Sequence, residues 1–110
     1  SCGSTGVYVH ELGHNLSFHH AGSPTAEYGD SSDPMGGARM VQFNAPNRVM
    51  AGWLPTGSVL EVFGGGSYSL SALALTAPAT PQVLRLVKPD TNEFYYVSLR
   101  QAIDLDTALP

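Results

Sequence analysis

Apolar and polar positions follow one rhythm before about residue 55 of this chain and another after it. In the first part, Val7 to Leu16 has helix-compatible composition, and the Ser/Thr/Gly cluster ahead of it can cap an N-terminus. A polar Gly/Ser/Asp/Pro stretch from Ala21 to Gly37 then reads as a loop. In "FNAPNRVMAGWLP", Asn44 is placed to cap a second helix, with Pro46 in its first turn, where a missing N–H does little harm. Val49, Met50, Trp53 and Leu54 fall on one stripe of that helix, read here as core packing, and Gly52 and Pro55 mark its end.

In the second part, short aliphatic and aromatic runs predict strands: "SVLEVF", "SYSLSALAL", "QVLRLV" and "EFYYVSL". Turn-forming "GGG", "TAPATP" and "KPDTNE" separate them, which predicts antiparallel hairpins or a small meander. The tail "DLDTALP" is expected to run off the end of that sheet. No internal repeat is visible. The reading is α+β, with residues 1–55 and 56–110 as the two units.

Composition narrows the function. Of the 110 residues 43% are hydrophobic, enough for one modest core, so the chain is one domain or a piece of one. Only 13% are charged, about half the usual ~25%, and Lys88 is the sole lysine. A net charge of −4 supplies no basic footprint for nucleic acid and no polybasic membrane anchor. No apolar run approaches the ~20 residues that span a bilayer. The opening "SCGSTG" has no initiator methionine and is expected to be cut from a longer protein. Cys2, the only cysteine, can be a free thiol or pair with a residue elsewhere.

All four histidines lie within "HELGHNLSFHH", residues 10–20. On a helix, residues four apart share a face with Cβ atoms ~5–6 Å from each other, so His10 and His14 can meet on one metal ion. A Zn²⁺ shell is tetrahedral, and two imidazoles leave two positions to fill. Glu11 is turned about 100° from His10, placing a carboxylate beside the metal where it can take a proton from an attacking water and pass it to a leaving amine. His20, six residues after His14, lies where the chain can leave the helix and return toward the metal. Asp30 and Asp33 can bind calcium or cap the turn that holds Met35, and Tyr28 can assist at an oxyanion. Asn15, Leu16 and Ser17 form a glycosylation sequon, expected to be unused because a glycan there would obstruct a cleft.

The run resembles the extended metzincin signature H-E-x-x-H-x-x-G-x-x-H. That resemblance makes His10, His14 and His20 the zinc ligands and Glu11 the general base. It also makes Met35, in "GDSSDPMGG", the methionine of a tight turn forming an apolar floor beneath the imidazoles. Together with "FNAPNRVMAGWL", and more weakly "FYYVSLRQ", these segments are most similar to the gametolysin family; bacterial immune-inhibitor-type metallopeptidases are the nearest alternative. What the resemblance implies is a zinc endopeptidase acting outside the cell on matrix proteins, with proline-rich glycoproteins as one substrate class. Residues 1–55 would be the lower metzincin-like catalytic subdomain, and the upper sheet would be missing. Such a piece is expected to bind zinc and cleave poorly. The alternative is a catalytically silent zinc-binding or adhesion module. One departure stands out: Ser17 occupies the signature's glycine position. Serine costs roughly 1 kcal/mol or more at positive φ, so the turn is expected to take a slightly different path, and His19 is the alternative third ligand.

Overall fold

The computed structural model describes residues 4–37 and 40–109; Cys2 lies outside them. Helix α1 spans Thr5–Asn15, α2 is a single turn, Pro34–Gly37, and α3 spans Ala45–Ala51. Strands β1 (Val59–Val62), β2 (Val83–Val87) and β3 (Phe94–Ser98) form one sheet in that order. A 3₁₀ turn at Asp104–Asp106 follows. The α+β class expected from the sequence is the one observed.

Local chemistry accounts for the helix ends. Ser4 caps α1 by accepting from the Val7 amide at 3.4 Å. At the other end the Ser17 amide bonds to the His14 carbonyl and the Phe18 amide to that of Gly13. This double closure is a Schellman motif, which needs a left-handed residue at its corner. Ser17 is that residue, at φ 68°. The altered path expected for serine is therefore not observed: the turn keeps the glycine-type conformation and serine carries the strain. In α3, Asn44 accepts from the Asn47 amide at 3.0 Å, and left-handed Gly52 ends the helix.

The sheet departs from the expected meander. β1 pairs with β2 in parallel, Val59 opposite Val83, and only β2 with β3 is antiparallel. A parallel pair requires the chain to cross back between its strands, and the run expected as a strand at residues 67–75 belongs to that crossover. It makes one isolated bridge, Ala72 with Leu99. Its carbonyls are satisfied by side chains instead: Gln82 Nε2 reaches those of Ala72, Leu73 and Leu75 at 2.8–3.2 Å, and Arg48 Nη1 donates to Leu73 at 2.6 Å. Leu73 thereby joins Ala45 and Val83 in the buried core, with Leu54, Val59 and Tyr96 packed around them.

The tail also differs from expectation. Rather than running off the sheet, it folds back and buries Asp106 completely. Arg100 grips Asp106 through Nε and Nη2 at 2.9 and 2.8 Å. The same carboxylate accepts from the Gln42 amide at 2.7 Å. The apolar stripe of α3 is likewise only partly core: Met50 is exposed, and half-exposed Trp53 packs edge-on against Phe18 and near Phe43.

Candidate metal centre

Three histidines converge. His10 and His14 come from adjacent turns of α1, and the Schellman corner at Ser17 redirects the chain so that His20 faces them. One ring nitrogen from each lies within 4.8 Å of the other two. The ring centroids are 4.9 Å apart for His10–His14 and His14–His20, and 5.4 Å for His10–His20. His19 does not join them; it is exposed and lines, together with His20, a groove that also includes Asn44, Met50 and Tyr96.

Each ring is oriented through its other nitrogen. His10 Nδ1 lies 2.8 Å from the Pro34 carbonyl oxygen, His14 Nδ1 2.9 Å from that of Phe18, and His20 Nδ1 2.8 Å from Glu27 Oε1. All three partners are acceptors, so in each neutral ring the proton sits on Nδ1 and the lone pair on Nε2. The Nε2 atoms of His10 and His14 are 3.2 Å apart. Two lone pairs at that separation repel unless a cation lies between them. Two nitrogens in a tetrahedral zinc shell at ~2.0–2.1 Å would stand about 3.3–3.4 Å apart, so the donor set fits a divalent metal of this kind.

The surroundings are built on α2. Asp33, fully buried, accepts from the Met35 amide at 2.6 Å and from that of Asn44 at 2.5 Å. It thereby ties the turn to the start of α3. Burial pushes its carboxyl above the ordinary carboxylate value, against the lowering effect of those two amides. Asp30 similarly accepts from the amide and hydroxyl of Ser32. Both aspartates thus serve as turn formers. Met35 is completely buried against Gly13, where a Cβ would collide with its sulfur. Glycine at that helical position lets α2 lie close beneath the two histidine turns of α1.

Glu11 is exposed and lines a cleft of about 310 Å³ with Val7, His10, Tyr28, Gly36 and Gly37. The Tyr28 ring packs against that of His20 at a tilt of 42°, with centroids 4.3 Å apart, and stands 6.1 Å from that of His10. Size does not locate the chemistry, since a groove of about 430 Å³ beside the C-terminal tail contains no histidine. Reading the sequence missed Glu27 and the two carbonyls that orient the rings. Glu27 was visible only as a carboxylate in an irregular loop, with no periodicity to say which way it faces.

An alignment 52 residues long is 44% identical to autolysin of Chlamydomonas reinhardtii, and it covers 43% of this chain and 8% of the algal protein. No solved structure matches the chain. No helix among the described residues is long and apolar enough to cross a membrane. The family model for gametolysin peptidase M11 matches residues 2–109, and the chain accordingly belongs to that peptidase family.

Proposed function

We propose that this chain carries the metal site of a zinc-dependent endopeptidase, with His10, His14 and His20 as ligands and Glu11 as general base. The observation that carries the reading is the convergence of three imidazoles whose Nδ1 atoms are all committed elsewhere, beside a cleft that holds a carboxylate. When bound, a zinc ion supplies Lewis acidity and a nucleophilic water at neutral pH. The chain's own residues do the rest. Glu11, on the cleft wall next to His10, takes the proton from the attacking water and delivers it to the departing amine. Met35 is the buried support under α1 rather than a ligand. On this reading residues 1–55 form a metzincin-like lower subdomain, and residues 56–110 form the sheet module packed on α3.

The substrate class we infer is protein of an extracellular or cell-wall matrix, proline-rich glycoproteins included, acted on outside the cell. Family membership and the algal relative's name, autolysin, support this. The test is Glu11→Gln. It should abolish peptide hydrolysis, by at least about a hundredfold on the scale of general base catalysis, while zinc content measured by atomic absorption stays near one per chain. Hydrolysis that survives the substitution would refute the role given to Glu11. Chelation should silence the native chain, and re-addition of zinc should restore it.

A further inference from the structure

The three imidazoles are not held alike. His10 and His14 donate to main-chain carbonyls, of Pro34 and Phe18, that belong to buried residues. His20 lies on a loop beyond the helix and donates instead to a side chain, Glu27, which is 69% exposed. A tight turn delivers that carboxylate. Ser23 and Ala26 bond to each other through their main chains, the Gly29 amide continues to the Ala26 carbonyl, and the Asp30 amide closes on Ala21. Glu27 leaves this turn facing His20, whose ring also packs at a tilt against Tyr28. Glu27 does not line the cleft shared by His10 and Glu11.

We propose that Glu27 is the positioning residue of the third ligand and that its charge raises the affinity of the site for a divalent cation. The inference rests on the triad being the metal site. A carboxylate on Nδ1–H fixes the tautomer, turns Nε2 inward and makes the ring a stronger electron donor than a carbonyl partner does. Three neutral imidazoles leave the two positive charges of the metal uncompensated, and Glu27 offsets one of them through a single ring. Partners of this kind typically change metal affinity 10–100-fold.

The experiment measures zinc affinity of the whole chain by chelator competition, together with the visible absorption of the cobalt-loaded form. Glu27→Ala should weaken zinc binding 10–100-fold and shift the cobalt bands. Glu27→Gln keeps an acceptor oxygen and the shape but loses the charge, and should fall between wild type and Glu27→Ala. A side chain that merely shaped the loop would leave the glutamine variant's affinity and spectrum unchanged. If Glu27→Ala binds within twofold of wild type with an unaltered spectrum, while His10→Ala loses zinc, the role of Glu27 is overturned and the triad stands. If wild type takes up no zinc, or His10→Ala binds as tightly as wild type, the triad and this inference fall together.

Discussion

At the scale of single residues, Ser17 and Asp33 each carry a cost that the surrounding structure imposes. A left-handed L-residue costs about 1–2 kcal/mol, and Ser17 bears this to close α1 and turn the chain toward His20. Ser17→Gly relieves it but adds freedom to the unfolded chain, worth about 0.4–1 kcal/mol in the other direction. The expected outcome is a stability equal to wild type or up to about 1.5 kcal/mol higher, with metal affinity retained. Ser17→Val should instead lose at least about 1 kcal/mol and weaken metal binding; urea titration and chelator competition check both. Asp33→Ala strands the Met35 and Asn44 amides, at about 1–3 kcal/mol for each buried donor left unpaired. Because the folded chain holds the Asp33 proton more tightly than the unfolded chain does, its contribution is complete below the ordinary carboxylate pKa and declines as pH rises through the raised folded value. The penalty of Asp33→Ala should therefore be larger on the acid side of that window, as denaturant midpoints measured on both sides would reveal.

At the scale of elements, two glycines in contact with neighbours differ in what blocks them. A Cβ on Gly13 meets the end of the Met35 side chain, which can swing, whereas a Cβ on Gly36 runs into the Asp30 main-chain carbonyl. Gly36→Ala should therefore be the more damaging, toward the upper part of the 1–3 kcal/mol range for overpacking, and thermal melts of the two variants test the order. The same contrast between local and distant causes explains what was legible in the sequence. α1, α3 and their caps were readable because Ser4, Asn44 and Gly52 act within one turn of where they stand. His10, His14 and Glu11 were readable because helical spacing alone places them. Residues 67–75 alternate like a strand, but their partners are the side chains of Gln82 and Arg48 rather than a ladder. Parallel pairing of β1 with β2 depends on that crossover, which no short window records. Glu27 escaped notice because an irregular loop, not a period, brings it to His20.

At the scale of the molecule, distant segments are joined by a few polar clasps and one aromatic cluster. Arg100 and Asp106 secure the tail to residue Gln42. Arg100→Ala leaves a buried carboxylate without its counter-charge and should cost about 3–5 kcal/mol, whereas Arg100→Lys, lacking the two-pronged geometry, should recover only part of it; equilibrium unfolding distinguishes the two. Phe18 plays a comparable part at the other end. Its amide closes α1, its carbonyl orients His14, and its ring lies 5.7 Å from that of Trp53, the chain's single tryptophan. Indole emission is thus wired to the proposed metal site through one intervening phenylalanine. Adding zinc to chelated protein should change the fluorescence, giving an optical gauge of occupancy that needs no substrate.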